Sequence, residues 1–230
     1  MDYTTYILIV FVLLLLIAAK KILSIIDNAN IVDWDHAWAN RIDGILRMFC
    51  YRFHGLAKNY IPIPETGAAI VVANHISGLD PLLLIAASKR PLRFLIAREE
   101  YERFGFKWLF EAAGCIPVDR ANNPEKALRQ ALLAIDRGEV VAIFPQGGIQ
   151  WPLTEEKPFR IKGGAVRLAQ RKKIPLIPVV IDGVGLMGAT LLAVVNRSRA
   201  TLEFEGELAC ESMSYDECLE ALAQKLNRVS

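Results

Sequence analysis

His75 and Asp80 stand five residues apart in the run Asn74-His75-Ile76-Ser77-Gly78-Leu79-Asp80. Histidine titrates near neutrality. A carboxylate in hydrogen-bond reach of one ring nitrogen holds the tautomer and stabilises the cation, leaving the other nitrogen to take a proton. A base held in this way contributes about 10²–10⁴-fold to a reaction. Five residues advance a continuous helix by about 500°, so a helix would not bring the two side chains to one face. A strand end, a turn at Gly78 and an Asp at a helix N-cap would fold His75 back toward Asp80. The plainer alternative is that Asp80 only caps its helix and His75 is a surface histidine.

Three further segments carry polar or backbone chemistry. Gly114-Cys115-Ile116-Pro117-Val118-Asp119-Arg120 ends a strand with an acid–base pair. Phe144-Pro145-Gln146-Gly147-Gly148 follows an apolar strand, where exposed glycine amides suit an anion or oxyanion. From Lys157 to Ile181 there is no acidic residue, while Lys157, Arg160, Lys162, Arg167, Arg171, Lys172 and Lys173 are all basic. Such a cluster suits CoA phosphates, an acidic carrier protein or anionic headgroups, or simply a solvated helix face. Lys162-Gly163-Gly164 is the part most readily connected to phosphate. His36 reads as interfacial, His54 as structural, and Cys115 as a small packed residue. The chain has no GxSxG elbow, HExxH, Cys/His cluster or GxxxxGK[ST] loop, so serine hydrolase, metal and P-loop chemistry find no motif.

The elements that must position these residues alternate between strand and helix. Short apolar strands are expected at 68–73, 92–97, 115–118, 140–144 and 175–181, with an alternating strand at 200–204. Helices are expected from Asp80-Pro81, at 106–113, from Asn123-Pro124 to Arg137, at 162–170, and from the capping box Ser214-x-x-Glu217 to Val229. Two prolines in Ile174-Pro175-Leu176-Ile177-Pro178-Val179 suggest an edge or irregular strand. This is an α/β pattern: one domain with a largely parallel central sheet covered by helices. In such a sheet, chemistry sits beyond the carboxyl ends of the strands.

Composition locates the domain. Of 230 residues, 53% are hydrophobic and 23% charged, so a sizeable core is available and wholesale disorder is excluded. Lys+Arg number 27 against 25 Asp+Glu, too even for a protein held to nucleic acid by phosphate contacts. Four cysteines without a CxxC pair argue against a disulfide scaffold and fit a reducing compartment. Tyr3 to Ala19 holds no charged residue, and as a helix reaches about 26 Å, close to the hydrocarbon core. Lys20 and Lys21 follow that run, placing the remainder on the cytoplasmic face of a membrane. Trp34, Trp38, Ile42, Ile45, Phe49, Phe53 and Leu56 recur at helical spacing, an amphipathic helix that touches either the bilayer or the domain's own core. Arg41, Arg47 and Arg52 lie beside it. The chain thus divides into membrane-anchoring helices over 1–60 and the α/β domain over 61–230.

Taken in order, H-x4-D, GxIPVDR, FP-x-G and IPLIPV resemble the glycerolipid acyltransferase family, whose best-known members acylate lysophosphatidate. The resemblance runs from about Phe53 to Leu208. It implies transfer of an acyl group from acyl-CoA or acyl-carrier protein to a lipid hydroxyl, with these as co-substrates and no cofactor or metal. It implies His75 as general base, Asp80 as the residue that orients it, and Arg98 and Arg120 as phosphate-binding cations. Gln146, Gly147, Gly148 and Lys162 complete the implied substrate site. The third block departs from the usual FPEGTR: Gln146 replaces the Glu and Ile149 the Arg. Losing a charge-assisted contact costs about 1.5–3 kcal/mol, about ten- to a hundredfold in affinity. Lysophosphatidate, a lipid acceptor lacking phosphate, and a non-catalytic lipid-binding or scaffold role on the same fold are the alternatives that follow.

Overall fold

The computed structural model describes residues 2–122, 124–150, 160–204 and 206–227. The chain begins with α1 (Tyr3–Ala29), capped by the Asp2 side chain and carrying no buried residue. It runs on through Lys20 and Lys21 for 27 residues, about 40 Å, and is long and apolar enough to cross a membrane. α2 (Ala37–Arg52) packs against it so closely that a Cβ on Gly44 would lie 2.2 Å from the Ile26 carbonyl oxygen.

The domain then alternates as its apolar pattern requires. β1 (Ala69–Ala73), α3 (Asp80–Ala87), β2 (Leu92–Ala97), α4 (Arg98–Tyr101), α5 (Lys107–Ala112) and β3 (Ile116–Val118) come first. α6 (Pro124–Asp136), β4 (Val140–Ile143), α7 (Gly164–Lys172), β5 (Leu176–Asp182), α8 (Leu191–Val195), β6 (Thr201–Phe204) and α9 (Tyr215–Leu226) complete it. The strands form one sheet in the order β3-β2-β4-β1-β5-β6, parallel throughout except for the β5–β6 pair. This is the α/β sheet anticipated from the sequence. Asn123 and Val229, expected at helix ends, lie outside the described residues, as does Lys157.

β1 shows why both faces need cover. Its AIVVA run is buried along its whole length. Ala69, Val71 and Ala73 enter one core with Leu83 and Leu84 of α3, while Ile70 and Val72 enter a second with Ala131, Leu168 and Leu222 of α6, α7 and α9. A strand buried on both sides needs apolar residues at every position.

Three expectations are corrected. β5 is an interior strand: β1 flanks it on one side and β6 on the other, and its two-proline segment is accommodated without an exposed edge. The Leu176 N–H points away from β1 to Leu208, so the ring nitrogen of Pro178, two residues on, faces that same side. There β6 pairs only from Val179 onward, and no ladder bond is lost. α3 is preceded by Leu79, and Asp80 is its first residue rather than its cap. Cys210 and Cys218 are bonded to each other, with Cα atoms 5.5 Å apart, so one disulfide exists where none was expected. Cys50 and Cys115 are free and buried, and burial pushes the Cys115 thiol up to about 11. The α2 stripe, readable as meeting either bilayer or core, divides: Trp38 and Ile45 are exposed and Leu56 past the helix end is buried in the core, while the helix's buried face carries Asp43, Gly44, Arg47 and Cys50.

His54, just past α2, is a buried clamp. Its Nε2 donates to the Val194 carbonyl (3.0 Å) while Nδ1 lies 2.6 Å from Ser198 Oγ. Burial holds the imidazole below its ordinary range, partly offset by the Val194 bond. The depressed value means that the unfolded chain takes up this proton first. Stability is therefore present above about pH 6.5 and lost as pH falls through the folded value. The thermal midpoint of detergent-solubilised protein should fall between about pH 7.5 and pH 5, and His54→Gln should flatten that part of the slope. Equal slopes for the two proteins would remove His54 from the acid response.

Candidate active site

β1, β2, β3, β4 and β5 are parallel, so their carboxyl ends meet along one edge of the sheet, and the His75 loop, Asp119-Arg120 and the 144–148 segment leave from it. Asn74 ends β1. Buried, it donates from Nδ2 to the Ile181 carbonyl (2.8 Å) and accepts at Oδ1 from the Ile181 N–H (2.7 Å). Its amide continues the ladder for one step after the backbone has turned away. The next residue is His75.

Beyond Asn74 the chain wraps around one carboxylate. Asp80 is fully buried, and its Oδ2 accepts from the backbone N–H groups of Ile76 (2.7 Å) and Ser77 (2.9 Å). Oδ1 accepts from Ser77 Oγ at 2.6 Å. His75 Nδ1 lies 2.8 Å from Oδ2. Two N–H donors already fix Oδ2 as an acceptor, so the ring presents N–H at Nδ1 and keeps its lone pair at Nε2. Nε2 makes no hydrogen bond among the described residues, and the side chain is 17% exposed. Phe144 stacks on the imidazole with centroids 4.2 Å apart and planes 17° apart, fixing its tilt. Such a ring can accept a proton from a ligand hydroxyl at Nε2. The reading in which Asp80 only caps its helix and His75 is a surface residue is excluded, because the carboxylate turns back onto 75–77. Gly78 lets the segment after β5 close onto this turn: a Cβ there would lie 2.6 Å from the Thr190 carbonyl oxygen.

The third block lies beside this loop. The Gln150 N–H donates to the His75 carbonyl (2.9 Å) and the Lys162 N–H to the Pro145 carbonyl (2.9 Å). Gly147, at φ +75°, donates its N–H to Phe144 (3.0 Å), so its amide is committed to the turn. The Gly148 N–H has no partner among the described residues. A Cβ on Gly147 would meet Lys162 Nζ at 2.6 Å, so the ammonium lies against the turn. Gln146 is 4% exposed and neither of its amide atoms finds a partner among the described residues.

The basic residues separate into engaged and free groups. Arg98, at the carboxyl end of β2, binds Glu102 (2.9 Å) and Asp119 (3.0 Å). Two Asn122 hydrogen bonds and Arg98 hold the Asp119 carboxyl low. Arg120, past β3, is exposed and forms no ion pair among the described residues. β2 lies two strands from β1 and β3 three, about 10 and 15 Å from the His75 line, whereas Lys162 lies against the turn that follows β4, the strand next to β1. Lys172 pairs with Asp136, Lys173 with Glu211, and Arg167 lies over the Tyr215 ring. Much of the basic cluster is thus structural. The sequence reading assigned no role to Asn74, Ser77 or Phe144; the apolar and polar surroundings of His75 gave no periodic signal to find them by.

Known proteins resemble this chain in sequence and in fold. A probable 1-acyl-sn-glycerol-3-phosphate acyltransferase of Mycoplasma pneumoniae is 34% identical over 128 residues, 53% of this chain and 46% of its own length. The 1-acyl-sn-glycerol-3-phosphate acyltransferase of Streptococcus pneumoniae is 23% identical over 207 residues, 87% of this chain and 74% of its own. This chain therefore spans about half the length of the Mycoplasma relative. The crystal structure of the 1-acyl-sn-glycerophosphate (LPA) acyltransferase of Thermotoga maritima superposes with a TM-score of 0.57 over 84% of this chain and 83% of that one, at 19% identity, a likeness of fold. The model of the Acyltransferase family matches residues 57–182, which include β1 to β5 and the whole His75 loop. With more than half of its length inside that model, the chain belongs to the Acyltransferase family.

Proposed function

We propose that the protein is a membrane-bound O-acyltransferase. It moves an acyl chain from acyl-CoA or acyl-carrier protein to the hydroxyl of a lysophospholipid-like acceptor of the lysophosphatidate type. The observation that carries this reading is the 2.8 Å contact between His75 Nδ1 and the fully buried Asp80 carboxylate, with Nε2 unbonded among the described residues. The acceptor hydroxyl gives its proton to Nε2 while its oxygen attacks the thioester carbonyl. The carbon–sulfur bond then breaks, and the imidazolium returns the proton to the departing thiolate. The Gly148 N–H is the amide of the third block still available to the oxyanion.

The acceptor phosphate needs a cation, and Ile149 supplies none. Arg98 is already held by two carboxylates, whereas Lys162 lies against the glycine turn without one among the described residues. Lys162 is thus the first grip on the phosphate and Arg120 the second. Attachment rests on α1, which is apolar, 27 residues long and nowhere buried. Lys20 and Lys21 set the domain on the cytoplasmic face.

Thiol release from acyl-CoA by detergent-purified protein tests the reaction, with lysophosphatidate and a monoacylglycerol as alternative acceptors. Lysophosphatidate should be preferred, and Lys162→Ala should raise its KM about ten- to a hundredfold, more than Arg98→Ala does. Preference for the monoacylglycerol, unchanged by Lys162→Ala, would transfer the assignment to an acceptor without phosphate. Absence of release with any lipid alcohol would leave a lipid-binding fold without catalysis.

A further inference from the structure

Residues 183–199 form a closed loop between β5 and β6 whose ends meet where the Arg199 N–H donates to the Gly183 carbonyl at 3.1 Å. From Gly183 to Asn196 the loop contains no charged residue. A soluble loop of this composition would turn its large side chains inward. Here Ala193 is fully buried, while Leu191, Leu192 and Val195 are 55%, 66% and 69% exposed, with Leu186 at 41%. Arg197 and Arg199 border this apolar cap, both exposed and neither in an ion pair among the described residues. An apolar cap bordered by unpaired cations matches an anionic bilayer surface, which takes the side chains into its acyl boundary and the guanidinium groups at its headgroups.

The loop is held on two sides. Toward the catalytic residues, the Gly188 N–H donates to the Ile76 carbonyl (2.6 Å) and the Gly78 N–H to the Ala189 carbonyl (2.9 Å). Those acceptor and donor groups belong to the turn around Asp80. Toward the N-terminal helices, His54 holds Val194 and Ser198, and the Ala200 N–H donates to the His54 carbonyl at 2.9 Å. His54 follows α2, and α2 packs on α1. A continuous chain of short contacts therefore joins the apolar helix, the apolar cap and the His75 loop.

We infer that this loop is a second membrane contact, which seats the His75–Asp80 turn on the bilayer surface where a lipid acceptor arrives. The inference rests on the reading of α1 as a membrane helix, and the bilayer is the occupant because α1 already requires one and the cap is tied to it through α2.

The test uses the full chain in vesicles of phosphatidylcholine and phosphatidylglycerol, with a thiol-reactive fluorophore on Leu192→Cys. Parallel labels go on Leu14→Cys in α1 and on Arg129→Cys in α6, whose side chain is 78% exposed. Leu192 is mostly exposed, so its replacement removes no core contact, and the native free thiols are buried. Nitroxide-labelled lipids should quench the Leu192 and Leu14 probes and spare Arg129, and aqueous iodide should do the reverse. Quenching by lipid at Leu14 but by iodide at Leu192 would overturn the inference and leave the membrane helix standing. A Leu192 probe shielded from both quenchers would assign the cap to a protein partner and equally overturn it. Iodide quenching at both Leu14 and Leu192 would overturn the inference and the reading of α1 together.

Discussion

Replacing His75 by alanine is expected to lower acyl transfer by about 10²–10⁴-fold, the range a positioned general base contributes. The fold should survive, because the imidazole is only partly buried and Asp80 keeps its bonds to Ile76 and Ser77. Asp80→Asn sharpens the case. An asparagine is nearly isosteric, and its carbonyl oxygen takes the place of Oδ2 against Ile76, Ser77 and Nδ1, so the ring stays in position while the neutral amide no longer stabilises the imidazolium that forms during transfer. Both variants should keep the unfolding midpoint within a few degrees of wild type and lose kcat. Steady-state thiol release beside circular dichroism measures the two together. A wild-type kcat in His75→Ala would place the proton acceptor elsewhere, and one in Asp80→Asn would reduce Asp80 to a structural tie.

The largest stability effect is expected at Arg47. Its guanidinium, fully buried, donates to Asp43 through Nε (2.5 Å) and Nη2 (3.2 Å), and to the carbonyls of Ala86 (2.8 Å) and Ser88 (2.9 Å). Four of its five N–H groups are thus bonded, and α2 is thereby tied to the end of α3. Arg47→Met keeps much of the length but leaves a buried carboxylate without its cation, which costs about 3–5 kcal/mol. For a chain of this size that corresponds to a fall of roughly 10 °C in thermal midpoint. Adding Asp43→Leu removes the stranded charge and should recover a large part of the loss. If Arg47→Met unfolds at the wild-type temperature in detergent, the pair is not what ties the helices. If the double variant is as weak as the single, the carbonyl contacts rather than the charge carry the effect.

Arg47 also shows where the sequence stops being legible. Asp and Arg four residues apart on an amphipathic helix have the spacing of an ordinary solvated pair. Their burial depends on carbonyls 39 and 41 residues away, which no local pattern announces. The same holds for the α2 stripe: its period was readable, but which side meets the core was decided by Gly44 against α1. Continuous apolar strands were readable because both faces of a parallel sheet are covered, so β1 and β4 stood out within a residue of their ends. β5 was found, but read as an edge or irregular strand where it is interior, since proline speaks for one strand side and not for how far the neighbouring strand extends. At the site, the His75–Asp80 pairing was legible from residue types and a turn glycine. The Asn74 ladder extension and the Phe144 stack were not, because each depends on a strand brought alongside from far away in sequence. α8 was missed for a related reason. Five residues with exposed apolar side chains have neither the length nor the amphipathic period of a packed helix.

The most direct measurement follows one turnover by rapid quench, with a labelled acyl chain on CoA and excess lysophosphatidate. A base at His75 Nε2 delivers the acceptor oxygen straight to the thioester. Label should therefore appear in the lipid as fast as it leaves CoA, with none on the protein at any time and no transfer in His75→Ala. Label accumulating on the protein before it reaches the lipid, or reaching the lipid at an undiminished rate in His75→Ala, would contradict the account.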